Sequence, residues 1–246
     1  MPPDAPLPAD PNGADADDLT LKIRQARLEP GPEPDDSDTY TLILETTRGA
    51  IRGLLTVCEG ETGALLTCNG AMGGPHEVQG PGDAVFAALA RKLRPRGLTT
   101  LRLTYRQAGE FEESVMDVLA ACSFLQGVGA ERVVLVGHSF GGAVVIKAGQ
   151  LAPLVKAVVA LSPQRFGTMQ VEQLGKPLLL VHGADDQVLN MAASQDIYDR
   201  ALEPKRVIFL EGAGHGLREG AATLYAELEP FVLRYAGPPR GVGGGA

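Results

Sequence analysis

The sequence predicts an α/β fold in which a mostly parallel sheet of about eight strands is covered by helices on both faces. Two features predict it. Short Val/Leu-rich runs bounded by turn residues recur along the chain, as strands buried on both faces require. Most of these runs are separated by stretches whose apolar residues fall at helical spacing. Strand alternating with helix demands crossover connections, which favour parallel pairing. No long Pro/Gly linker divides the interior and no repeat recurs at a fixed period, so residues 19–236 are expected to form a single domain.

Taken in order, residues 19–28 (LTLKIRQARL) alternate apolar and polar, which predicts a half-buried strand. Residues 39–59 read as two strands around a turn near Arg48-Gly49. Six apolar runs follow, at 64–68, 99–105, 132–137, 156–162, 177–183 and 206–212. Between them, 110–126 places Phe111, Val115, Val118, Leu119, Cys122 and Leu125 on one helical face. Similar segments cover 82–94, 140–151, 191–202 and 217–235. The stretch 1–18 is rich in Pro, Asp and Ala and is expected to be a disordered leader; 237–246 (GPPRGVGGGA) is expected to be a flexible tail.

Composition narrows the partners. The 246 residues carry a net charge of −8 and no block of Lys/Arg, which argues against nucleic acid or an anionic membrane surface. No apolar run approaches the roughly 18 residues of a membrane span, and residues 1–18 lack the basic and apolar regions of a secretory signal. Three cysteines, Cys58, Cys68 and Cys122, fall in apolar segments, which favours buried thiols in a reducing compartment. A cytoplasmic location is the expectation.

In open α/β sheets, ligands bind outside the carboxyl ends of the strands. Three groups occur there in this chain: Ser139 after the 132–137 run, Asp185-Asp186 after 177–183, and His215 after 206–212. Ser139 lies in Gly137-His138-Ser139-Phe140-Gly141, a Gly-x-Ser-x-Gly pattern. Its small residues allow a tight strand-to-helix turn that exposes the hydroxyl. A serine hydroxyl hardly ionises at neutral pH, so it needs an imidazole to take its proton and a carboxylate to orient that imidazole.

On GHSFGG (137–142), HGADDQVL (182–189) and GAGHGL (212–217), the sequence resembles the α/β-hydrolase superfamily over residues 39–236. The resemblance implies an α/β-hydrolase fold, Ser139 as nucleophile and His215 as general base and then acid. It implies Asp186 as the orienting carboxylate, three residues beyond Gly183, with Asp185 as the alternative. It also implies an oxyanion hole from the N–H of Phe140 and that of Ala71, or Met72, after Asn69-Gly70, which stands where the family commonly has His-Gly.

The segment 163–176 is about 14 residues long, too short for the cap that many members insert there. That favours small soluble acyl substrates over lipids at an interface. The dienelactone-hydrolase branch is similar in layout, although its usual nucleophile is cysteine.

The implied enzyme is a serine hydrolase of the carboxylesterase type that needs no cofactor. Peptidase or acyltransferase chemistry on the same triad, or a non-catalytic binding scaffold, are the alternatives. Met72, Phe111, Phe166, Met169 and Met191 are candidate pocket residues, and Arg106 and Arg165 read as solvated. His182, Asp185, Asp186 and His215 lack metal-site spacing, and no nucleotide-binding glycine pattern is present, so no metal is expected.

Overall fold

A computed structural model describes residues 20–32, 38–71 and 82–238. The leader at 1–18 and the tail beyond Pro238 lie outside the described residues, as does Met72. Among the described residues nine strands form one sheet: β1 (Ile23–Pro30), β2 (Thr39–Thr46), β3 (Gly49–Thr56), β4 (Gly63–Cys68), β5 (Thr99–Thr104), β6 (Arg132–His138), β7 (Val155–Leu161), β8 (Leu178–Gly183) and β9 (Lys205–Leu210). Their spatial order is β1-β2-β3-β5-β4-β6-β7-β8-β9. Strands β1, β2, β3 and β5 pair antiparallel, and every pair from β5 through β4 to β9 is parallel. The helices are α1 (Asp83–Leu93), α2 (Phe111–Gly127), α3 (Phe140–Leu151), α4 (Ala192–Arg200) and α5 (Ala221–Ala236).

The two-residue period of a strand sends alternate side chains into two separate cores. In β6, Val133 and Leu135 join Val118, Cys122 and Val145 beneath α2 and α3. Their neighbours Val134 and Val136 join Phe86, Leu89 and Leu228 beneath α1 and α5 on the other face. Strand β8 divides likewise, with Leu178 and Leu180 in the first core and Leu179 and Val181 in the second. Both faces being covered is why these strands read as continuous apolar runs.

The sheet differs from the sequence expectation at its margins. The nine strands among the described residues accord with the expected sheet of about eight, but β1 is exposed along its whole length instead of half-buried. Its alternating pattern therefore does not mark a buried face: β1 is an edge strand of the antiparallel hairpin and no described helix packs on it. Helix α5 begins at Ala221, four residues later than its apolar spacing suggests. The intervening chain is used for a turn in which Leu217 takes φ 56°.

Topology fixes where a ligand would sit. From β4 the chain moves through α1 to β5 on one side, then returns through α2 to β6 on the other side of β4. The order reverses between β4 and β6, so a crevice opens at the carboxyl ends of those two strands. The connection from β7 to β8 holds one short 3₁₀ turn (Val171–Gln173) and no inserted domain. Among the described residues no helix is long and apolar enough to cross a membrane.

Candidate active site

Ser139 stands directly after β6, at the switch point, and has φ 58° and ψ −119°. Such a backbone is rare for a residue with a side chain and persists only where its surroundings enforce it. The glycines do so. A Cβ on Gly137 would collide with the carbonyl of Gly141, and one on Gly141 would lie 2.6 Å from the carbonyl oxygen of Cys68. Strand β6, helix α3 and the end of β4 therefore meet in backbone contact, which is possible only without side chains at 137 and 141. Ser139 is left partly exposed at the apex.

Phe140 opens α3, so its N–H belongs to the first helical turn, where no intrahelical acceptor is available. Asn69 and Gly70 follow β4 and face this turn: a Cβ on Gly70 would be 3.5 Å from Ser139 Cβ and 3.8 Å from its Oγ. The amide of Ala71 comes next along the same turn. Asn69 is buried, and its side-chain oxygen has no hydrogen-bond partner among the described residues.

Asp186 and His215 arrive from β8 and β9. Asp186 Oδ1 accepts the amides of Val188 (2.8 Å) and Leu189 (2.9 Å), so the carboxylate closes its own turn. Its Oδ2 lies 2.7 Å from Nδ1 of His215, and Nε2 of His182 is 3.1 Å from the same oxygen. The Asp186 side chain is fully buried; Asp185 is exposed and does not reach His215. Burial raises the Asp186 pKa, but the hydrogen bond from His215 and those from the Leu189 and Val188 amides outweigh it and hold the carboxyl below its ordinary range.

The His215 loop is tied down along its length. The Asp185 amide donates to the carbonyl of Ala213 at 3.0 Å, and Gly183 is a close seat for this loop, since a Cβ there would lie 2.6 Å from the Gly214 oxygen. The His215 ring is 4.7 Å, centroid to centroid, from that of His138, the residue beside Ser139. Among the described residues the Ser139 hydroxyl makes no hydrogen bond, so the serine and the His215 imidazole are not joined in this structure.

The candidate pocket residues divide. Phe111 packs edge-on between Phe140 (6.2 Å) and Phe166 (5.6 Å), forming an aromatic row that runs outward from the elbow helix. Phe166, Met169 and Met191 are 68%, 61% and 43% exposed and form surface rather than an enclosed pocket. A cavity of about 790 Å³ lies elsewhere, between β3 and α1, lined by residues including Tyr40, Leu54, Cys58 and Arg102. Neither Ser139, Asp186, His215 nor Asn69 borders it.

Two polar residues, Arg106 and His182, have parts that the sequence does not announce. Arg106 is 3% exposed rather than solvated: its guanidinium binds the buried Asp117 and reaches Glu113 at 2.9 Å. Arg165 is solvated and pairs with Asp196 at 3.0 Å. His182 is buried between Ser194 Oγ (2.7 Å) and the carbonyl of Leu189 (2.9 Å), which braces the Asp186 turn. The signal available for His182 is its place inside a strand: a polar side chain in an apolar run is buried and must find partners.

Comparison with known proteins agrees with this architecture. A model of the alpha/beta hydrolase family matches residues 65–175, which include Asn69-Gly70 and the Ser139 elbow. Alpha/beta hydrolase domain-containing protein 17B of Xenopus laevis is 26% identical over 65 residues, 26% of this chain and 23% of that protein. The human protein of the same name is 27% identical over 63 residues, 26% of this chain and 22% of its own length. The chain thus matches less than a quarter of the length of these curated relatives.

Among solved structures, an esterase domain from a Rhodothermus marinus protein superposes with a TM-score of 0.66 at 23% identity, covering 81% of this chain and all of that one. Dienelactone hydrolase from Anabaena variabilis gives 0.68 at 20% identity, covering 80% and 98%. A serine hydrolase without a lid from Xanthomonas campestris gives 0.64 at 17% identity, covering 82% and 98%. The fold is that of these α/β hydrolases, and the match of the family model to residues 65–175 agrees with it.

Proposed function

We propose that the protein is a serine hydrolase that cleaves a small ester or related acyl substrate through an acyl-enzyme on Ser139. The observation that carries this reading is the 2.7 Å contact of His215 Nδ1 with the buried Asp186, at the same sheet edge as a serine held at φ 58°. An imidazole whose Nδ1–H is held by a carboxylate presents Nε2 as a base, and the carboxylate stabilises the imidazolium that forms. Nε2 of His215 would take the Ser139 proton as Oγ attacks the acyl carbon. In unliganded sites this hydrogen bond is commonly long and tightens when substrate binds.

The oxyanion of the tetrahedral intermediate would be met by the N–H groups of Phe140 and Ala71, aided by the positive end of the α3 dipole. The imidazolium then protonates the leaving alcohol. Water attacks the acyl-enzyme with His215 again as base, so the serine is regenerated without a cofactor. The short β7–β8 connection leaves the crevice open, which favours a soluble substrate, and the Phe111–Phe166 row suits an apolar or aryl acyl group. The superposing structures described as an esterase domain and a dienelactone hydrolase fit the same class of reaction.

The test is hydrolysis of a panel of esters, thioesters, lactones and amides by wild type and Ser139→Ala. Turnover of at least one ester that falls roughly 10³-fold or more in the variant is expected. Turnover that Ser139→Ala leaves intact would contradict the reading.

A further inference from the structure

We propose that His138 is a positioning residue for His215: its buried imidazole holds the main chain of His215 and so sets the height of the base above Ser139. The inference rests on the reading of His215 as base. His138 ends β6, immediately before Ser139, and its Nε2 is 2.8 Å from the carbonyl oxygen of His215. A carbonyl only accepts, so His138 must carry its proton on Nε2. Among the described residues this is the one hydrogen bond made by the main chain of His215.

The side-chain bond to Asp186 and the main-chain bond to His138 fix different things. Asp186 aims Nδ1, and through it the tautomer. That bond acts at the far end of the side chain, and the other ties of the loop hold Ala213 and Gly214 rather than residue 215 itself. Holding the carbonyl fixes the main chain at His215. The anchor itself cannot yield: a Cβ on Gly82, at the entry to α1, would lie 2.8 Å from His138 Cβ and 3.0 Å from its Cγ. The imidazole is thus wedged between α1 and the His215 loop.

Charge explains why a neutral donor is needed here. The ring of His138 is 4.7 Å from a ring that must become cationic during the reaction, and a second cation at that distance would oppose it. Burial pushes the His138 pKa down to about 4; the hydrogen bond to the His215 carbonyl and the Asp186 charge oppose this, and His215 and His182 add to it. His138 therefore stays uncharged where a serine–histidine pair operates. Its Nδ1 is buried without a hydrogen-bond partner among the described residues, so the ring's fixed service is the Nε2 contact.

The experiment compares His138→Leu, His138→Gln and His138→Asn in steady-state hydrolysis of nitrophenyl acetate, with folding checked by circular dichroism. Glutamine places an amide N–H as many bonds from Cα as Nε2 does, whereas asparagine reaches only as far as Nδ1. His138→Leu should lower kcat by roughly 10- to 100-fold with KM within about twofold, as a displaced base predicts. His138→Gln should recover most of that loss and His138→Asn should not. A folded leucine variant with wild-type kcat, or an asparagine variant as active as glutamine, would overturn the proposal. If the leucine variant does not fold, the ranking of glutamine against asparagine decides. Active wild type with unaffected variants removes this inference alone; wild type without turnover or Ser139 reactivity removes the base assignment as well.

Discussion

Nδ1 of His215 lies 2.7 Å from Oδ2 of Asp186, while the other carboxylate oxygen is taken up by the amides of Val188 and Leu189. One carboxylate thus shapes its own turn and aims the imidazole that reaches it from the next strand. The two roles cannot be separated by a substitution that removes the side chain, but they can by one that changes only its charge.

Asp186→Asn keeps the size of the side chain but favours the wrong imidazole tautomer. Ester turnover should fall roughly 10³- to 10⁴-fold with little loss of fold. Asp185→Asn, on an exposed side chain that does not meet His215, should stay within about twofold of wild type. Measuring kcat for both settles the acid; equal losses would contradict the assignment.

Stability should depend on pH through the buried histidines. Burial lowers the pKa of His138 from near 6.5 to about 4 and lowers that of His182 as well, against the pull of the Leu189 carbonyl and Asp186. Between about pH 6.5 and pH 4 the unfolded chain therefore binds protons that the folded chain refuses, so stability is complete above that window and declines as pH falls through it. His138 alone contributes on the order of 3 kcal/mol to this decline. Thermal melts from pH 8 to 4.5 should show it, with a shallower slope in His138→Gln; an unchanged slope in that variant would contradict the account.

The glycine at 141 should tolerate nothing larger. A Cβ there meets the carbonyls of Cys68 and Asn69, which are backbone and cannot swing aside. Gly141→Ala should lower stability by about 1–3 kcal/mol. It should also depress kcat, because it displaces the turn that holds the Ala71 amide. Gly127→Ala, at the end of α2 with nothing within 4 Å of the added carbon, should instead be neutral or stabilising by up to about 1 kcal/mol. Urea titrations of the pair check this.

Removing the charge of Asp117 should be costly to stability. Arg106 is buried and bound by Asp117 through both its main-chain amide and its guanidinium. Asp117→Asn leaves that cation with Glu113 as its remaining carboxylate neighbour, and a loss of about 3–5 kcal/mol is expected. A melting temperature within 2–3 °C of wild type, roughly 1 kcal/mol or less, would show that the pair is dispensable.

The central sheet and its helices were readable in the chain because burial on both faces leaves uninterrupted apolar runs, as in β4, β6 and β8. The edge was not: β1 alternates like a half-buried strand although neither of its faces is covered. Ser139 announced itself through glycines that a backbone collision explains. Asp186 and Asp185 could not be told apart by spacing alone, since both follow the same strand; which one turns inward depends on the 188–189 amides. His138 and Arg106 were opaque for a related reason. Their roles are set by partners 77 and 11 residues away in sequence, which no local pattern records.

The most direct test of the central claim is covalent. Wild-type protein treated with a fluorophosphonate probe, digested and mapped by mass spectrometry should carry the label on Ser139. His215→Ala should label at least roughly 10³-fold more slowly. Absence of label at Ser139, under conditions where control serine hydrolases react, would contradict the account.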